Sequence, residues 1–323
     1  MTEISKQTLA SLAAELALPV IGAPMHMVSG PDLVIAQCRA GIMGTFPALN
    51  ARPQQELTHW LSRIKQALHA SGTRVPYGVN VIIHPSNARR EDDLAICIEH
   101  EVPVVITSMH PPHRIVPQVH AYGALVLHDV TTVRHAQKAI EAGVDGLILV
   151  AGGAGGHEGR ANPFALINEV RAFYDGPLVL AGCIGHGKDV LAAQAMGCDL
   201  AYVGTRFIAT QESLAPDRYR RMVMDADLSD IVSTSYFTGV QANYLSASVT
   251  AAGMDVALLQ RAHPDTPINV DRASRPAMWR DVWSAGQGVG LVQEELSVAQ
   301  LVAQMRDEYR VAVCGLRGKA AGG

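Results

Sequence analysis

Between residues 19 and 205 of this 323-residue chain, short apolar runs alternate with helical spacing eight times over. The strand-like runs cover 19–25, 41–46, 77–83, 102–108, 125–130, 146–151, 178–182 and 200–205. Helix-like stretches separate them. In 54–70, Leu57, Trp60, Leu61, Ile64 and Leu68 recur at three- and four-residue spacings and mark one apolar face. Gly143 and Gly197 stand where two others, 133–142 and 188–196, should stop. The sixth run, Gly146 to Ala151, is small and apolar throughout, which suits a parallel strand covered on both faces. Eight such units predict an α/β fold of the (β/α)8 TIM-barrel type. A doubly wound sheet is the competing arrangement. It places nucleotide-binding glycines after its first strand, where this chain reads GAPM and not GxGxxG.

After Phe207 the rhythm changes. Residues 211–290 mix helical and loop segments and are expected to form a cap inserted after the eighth strand, over the mouth of a barrel spanning 1–210. Residues 291–323 should hold a last amphipathic helix, with Leu301, Met305 and Tyr309 packing back on the barrel. A net charge of −4 offers no basic footprint for nucleic acid, and no apolar run approaches the length of a membrane span. The first residues lack the basic-then-apolar order of a secretory signal. Five cysteines, odd in number and scattered, build no disulfide framework. These features together predict a cytoplasmic protein acting on small molecules.

In such a barrel the chemistry gathers where the strands end. The sixth strand breaks into Gly152, Gly153, Ala154, Gly155 and Gly156 and delivers His157. Glycines allow a backbone to come close to a flat ligand. After the seventh and eighth strands stand Gly182-Cys183 and Val203-Gly204-Thr205, both small at the turn and both opening onto a helical stretch. Amides there can point at a phosphate, aided by the helix dipole, or can simply make tight turns. Asn80, in the third strand, can serve a ring edge as donor and acceptor or be a satisfied structural amide. Ala23, Pro24 and Met25 can lay backbone against a planar ring. The segment WSAGQGVG reads as a lid, with Trp283, Ser284 and Gln287 facing substrate. His26, His84, His110, His113 and His128 lack metal-ligand spacing and read as surface or loop residues, so no metal is expected. A GxSxG nucleophile elbow is missing.

At these residues a likeness emerges. GVDGLILVAGGAGGHEG and PLVLAGCIGHGKDVLAAQAMGCDLAYVGTRFIATQES, with GAPM, GVNV and WSAGQGVG in the same order, resemble the nitronate monooxygenases, formerly called 2-nitropropane dioxygenases. The likeness spans most of the chain and is weakest between residues 217 and 277. It implies an FMN-dependent barrel with a cap, oxidising alkyl nitronates with O2 to a carbonyl compound and nitrite. It implies a catalytic His157, and FMN held by Asn80, Gly155, Gly182 and the Val203-Gly204-Thr205 turn, with Ala23 and Met25 against the ring. Pro24, Gly156 and Cys183 adjoin these positions and are taken with them. The chain departs from the common QGxEAGGH pattern: Val150 replaces the Gln and Gly153 the Glu, while Cys183 stands where relatives commonly have Gly. Two alternatives share the scaffold: an NAD(P)H-dependent quinone or enoyl reductase, and a non-catalytic FMN-binding barrel.

Overall fold

A computed structural model describes residues 9–261 and 281–321. In chain order its first strands are β1 (Val20–Gly22), β2 (Gly44–Pro47), β3 (Tyr77–Ile82), β4 (Val104–Ser108), β5 (Leu125–Val130) and β6 (Gly146–Val150). They continue with β7 (Gly156–His157), β8 (Leu178–Ala181), β9 (Leu200–Val203), β10 (Ile231–Thr234) and β11 (Ala242–Leu245). Eight of them form one parallel sheet in the order β1-β9-β8-β6-β5-β4-β3-β2. Met43 closes the ring: Gly22 N donates to Met43 O at 2.8 Å, and Met43 N to Val20 O at 3.1 Å. The eight strands expected from the sequence are the eight staves of a TIM barrel.

Successive side chains of a strand point to opposite faces. Val104, Ile106, Leu125 and Leu127 pack with Ile148, Val179 and Leu200 inside the barrel. Val105 and Val126 belong to the layer beneath the surrounding helices. By the same alternation Ser108 and Asp129 end the inward-facing rows of β4 and β5. The mouth therefore receives polar groups on strands whose lower interior is apolar. At the opposite end, helix Leu9–Glu15, which the sequence reading passes over, sends Leu9 and Leu12 into the interior cluster.

The amphipathic face anticipated in 54–70 is real: helix Glu56–Ala70 buries Leu57, Leu61, Ile64 and Leu68. The last helix, Val298–Ala321, buries Leu301, Val302 and Met305 against Leu18, Val20 and Phe207. Burying side chains of this kind contributes about 1.5–3 kcal/mol each. It also crosses helix Gly187–Ala195 at Gly187, where an added Cβ would lie 1.8 Å from Met305 O, so only glycine permits the contact.

The stretch after the eighth strand is not helix and loop alone. Besides helix Asp217–Met224 it holds the antiparallel pair β10–β11, and β7 adds to the free side of β11 with Ala242 opposite His157 and Asn243 opposite Gly156. Four-residue strands, IVST and ANYL, are too short to display a period, which is why the pattern did not reveal them. Residues 262–280 of the expected cap lie outside the described residues.

Candidate active site

A cavity of about 830 Å³ opens at the carboxyl ends of the barrel strands. The β1 loop enters it as Ala23, Pro24 and Met25. That loop is shaped by Asn50, whose Nδ2 donates to Met25 O at 2.9 Å and Ser29 O at 2.8 Å. Ser29 Oγ accepts from Met25 N at 3.0 Å. Nothing in the sequence pattern singled out Asn50, because its partners are backbone atoms more than twenty residues away.

The loops after β6, β8 and β9 bring Gly155, Gly156, His157, Gly182, Cys183, Gly204 and Thr205 to the same cavity. Val203 does not reach it with its side chain, which is buried among Val20, Leu33 and Phe207 behind the sheet. Its carbonyl accepts from Ala23 N at 2.8 Å and so ties the β1 and β9 loops together. Thr205 Oγ1 accepts from Gly286 N at 2.9 Å and anchors the WSAGQG segment. The fit between Gly155 and Gly286 is close: a Cβ at Gly155 would stand 2.8 Å from Gly286 N.

The helix that follows β8 offers no amide of its own. The amides at the start of helix Gly187–Ala195 are already taken by carboxylates. Gly185 N and His186 N donate to Asp189 Oδ2, and Gly187 N donates to Glu308 Oε2 at 2.8 Å. The helix terminus is thus satisfied from within, by a capping box and by the last helix. The available donors lie one step earlier. The backbone amides of Cys183, Ile184, Gly204 and Thr205 find no acceptor among the described residues. They sit on two loops that follow neighbouring strands.

Cys183 adopts φ 57°, a left-handed conformation that costs a side chain roughly 1–2 kcal/mol. Its thiol lies 3.9 Å from Gly152 O. Burial, then the carboxylates of Glu158 and Asp189, raise its pKa, so it is a thiol at neutral pH and a poor nucleophile.

His157 is half-buried on β7. Its Nε2 is 3.0 Å from Thr238 Oγ1, and that hydroxyl donates to Val240 O at 2.9 Å. The same hydroxyl accepts from Val240 N at 3.1 Å, so Thr238 ties this edge of the ring to the loop between β10 and β11. Burial lowers the pKa, keeping the ring neutral at pH 7. The preceding loop is held by Glu158. Its Oε2 accepts from Gly153 N at 2.6 Å and from Asn243 Nδ2 at 2.7 Å, and its Oε1 from Ser233 Oγ at 2.6 Å. Asn243 Nδ2 also reaches Ala154 O at 2.7 Å.

Asn80 lines the cavity and donates to Ser108 Oγ at 2.7 Å, and Ser108 Oγ donates to Asp129 Oδ2 at 2.6 Å. Burial raises the Asp129 carboxyl to about 6, against the hydrogen bond from Ser108. Tyr202 also lines the floor. Period-two reading of LVLHDV, with Asp129 in phase with Leu125 and Leu127, carries the signal that would have found Asp129. His128 is not a surface residue: it is buried on β5, its Nδ1 2.8 Å from Thr107 Oγ1, and burial lowers its pKa to about 4. His26 and His110 line the cavity too. Among the described residues no group of three His, Cys, Asp or Glu side chains is placed to hold a metal.

In the WSAGQGVG segment only Ser284 of the three residues singled out lines the cavity. Trp283 is stacked on Tyr219, ring centroids 5.0 Å apart, with the Arg218 guanidinium 5.8 Å from its centroid. Gln287 is exposed, and its N donates to Gly153 O at 2.9 Å.

The family model for nitronate monooxygenase matches residues 4–308. The chain belongs to the nitronate monooxygenase family. Enzymes of this family are flavin-dependent oxidoreductases. The nitronate monooxygenase of Paraburkholderia phytofirmans is 27% identical, the match covering 93% of this chain and 94% of that one. A Rhodococcus jostii protein named (3aS,4S,5R,7aS)-5-hydroxy-7a-methyl-1-oxo-octahydro-1H-indene-4-carboxyl-CoA dehydrogenase is 29% identical over 72% of this chain, but the match spans only 63% of that protein. Among solved structures, FabK from Thermotoga maritima superposes with a TM-score of 0.78 at 25% identity, covering 97% of this chain and 99% of FabK. Nitroalkane oxidase from Streptomyces ansochromogenes gives 0.74, also at 25%, covering 94% and 99%. No helix among the described residues is long and apolar enough to cross a membrane.

Proposed function

We propose that this protein binds flavin mononucleotide and uses it to oxidise an alkyl nitronate with O2, giving a carbonyl compound and nitrite. The observation that carries the reading is a neutral His157 on the same cavity as four unengaged backbone amides. Those of Cys183, Ile184, Gly204 and Thr205 suit one terminal phosphate, which needs converging donors and no fixed cation. Met25, pinned by Asn50 and Ser29, offers a rigid wall for a planar ring. When bound, the flavin takes electrons from the substrate and passes them to oxygen.

The side chains supply the rest. The neutral imidazole of His157 can take the α-proton of a nitroalkane, and the imidazolium so formed holds the resulting anion. For a preformed nitronate the same ring only stabilises charge. The cap segments around Val240 and Ser284 narrow the mouth and restrict water around the anion. Membership of the nitronate monooxygenase family supports this chemistry, as does the resemblance to nitroalkane oxidase in sequence and shape.

A second reading is favoured by the FabK likeness: the same scaffold taking hydride from NADH or NADPH and passing it to a quinone or enoyl substrate. Oxygen uptake and nitrite release by the FMN-loaded protein, measured with a panel of alkyl nitronates beside NADH and NADPH, separates the two. Uptake with nitronates and none with the nicotinamides is expected. Turnover only with a nicotinamide would establish the second reading. Retained flavin with no turnover of any donor would mean a binding barrel.

A further inference from the structure

The cavity floor carries two polar atoms with nothing to do. Asp129 Oδ1 and the Tyr202 hydroxyl are buried and find no hydrogen-bond partner among the described residues, and both residues line the cavity. Such atoms are uncommon, because leaving one unpaired costs about 1–3 kcal/mol. Their placement follows from the barrel. Asp129 ends the inward row of β5, and Tyr202 belongs to the interior cluster of β9. Between β5 and β9 in the sheet run β6 and β8, whose top residues Val150 and Ala181 are small or apolar and leave the space above them open. Tyr202 is 9% exposed; burial first, and the charge of Asp129 second, hold its phenol protonated, and both residues face the one cavity.

Asp129 is also held in place. Ser108 grips Asp129 by its other oxygen at 2.6 Å, and Asn80 grips Ser108 at 2.7 Å. What the cavity receives is one fixed acceptor, Asp129 Oδ1, and one donor, the Tyr202 hydroxyl. A ring edge with N–H beside C=O, the imide edge of a flavin, matches that pattern.

We propose that Asp129 and Tyr202 are flavin-contacting residues, their orphaned oxygen and hydroxyl engaging the polar edge of the bound ring. The proposal rests on the flavin mononucleotide reading above. It assigns to the floor a role that neither the glycine loops nor His157 can fill, since those groups serve the phosphate and the substrate.

The test uses Asp129→Asn and Tyr202→Phe in the full chain. Asn can still accept from Ser108 through its oxygen, but then offers a donor where Asp offers an acceptor. Two quantities are measured: FMN dissociation by fluorescence titration, and the melting temperature of FMN-free protein. Affinity is expected to fall about ten- to a hundredfold in Asp129→Asn, the worth of a hydrogen bond to a charged group, and about two- to tenfold in Tyr202→Phe. The melting temperature without FMN should stay level or rise in both, because Asp129→Asn removes a buried charge and Tyr202→Phe an unpaired hydroxyl. Unchanged FMN affinity in both variants overturns the proposal. So does a fall in FMN-free melting temperature that accounts for the lost affinity, which makes the pair structural. Unchanged affinity with a raised KM for a nitronate overturns it in favour of substrate contact. Wild-type protein that binds no FMN overturns the function reading itself, and this proposal with it.

Discussion

At the scale of single residues, His157 and Cys183 are the two side chains whose roles are most sharply separable. His157→Asn should keep fold and flavin, since the ring is only half-buried. Its loss should lower kcat/KM by about 10²–10⁴-fold with a neutral nitroalkane, the usual worth of general acid–base help. The fall should be smaller with the preformed nitronate, where no proton has to leave. Equal falls on both substrates would make His157 an anion-binding residue and no base. Cys183→Gly should leave FMN affinity and turnover near wild type and raise stability by up to about 1 kcal/mol, because glycine accepts φ 57° without strain. A calorimetric melt and a steady-state assay at full flavin occupancy check both parts. Turnover lost with flavin retained would reveal covalent chemistry at the thiol.

At the scale of elements, the decisive feature is the strand addition of β7 to β11, which carries His157 on a sheet built from residues eighty positions later. Glu158 fastens that addition with three hydrogen bonds. Glu158→Ala should destabilise the protein by about 1.5–3 kcal/mol in urea unfolding, and lower kcat more than it weakens FMN binding. A variant with wild-type kcat would show that His157 needs no such support. The sheet explains what was legible in the sequence and what was not. Barrel strands announce themselves through apolar runs and recurrent glycine stops, so all eight could be counted. The glycine break after Val150 marked a loop that lines the cavity. The β10–β11 pair, the Asn50 brace and the Glu158 fastening rest on contacts between residues far apart in sequence, and no local pattern encodes them. Trp283 misled for the opposite reason: an aromatic beside a glycine-rich segment suggests a substrate wall, but stacking on Tyr219 consumes it.

At the scale of the whole molecule, the polar mouth of an apolar barrel should leave a signature in stability against pH. Burial lowers His128 to about 4 from 6.5, so the unfolded chain binds more protons between those values. The contribution is complete above pH 6.5 and is lost as pH falls toward 4, roughly 3 kcal/mol in all. Asp129 acts in the opposite sense: with its carboxyl raised from 3.8 to about 6, the folded state keeps the proton longer, and stability is lost as pH rises across that window. Urea melts should therefore show His128→Gln gaining on wild type as pH drops from 6.5 to 4, and Asp129→Asn losing ground over nearly the same range. Parallel curves would mean that neither group is buried as described. The molecule's purpose is tested most directly by mixing the FMN-loaded protein with a nitronate in the absence of oxygen and following the flavin's visible absorbance. Bleaching by the nitronate, with no bleaching by NADH or NADPH, is the predicted result; a flavin that the nicotinamides bleach and nitronates leave untouched would contradict it.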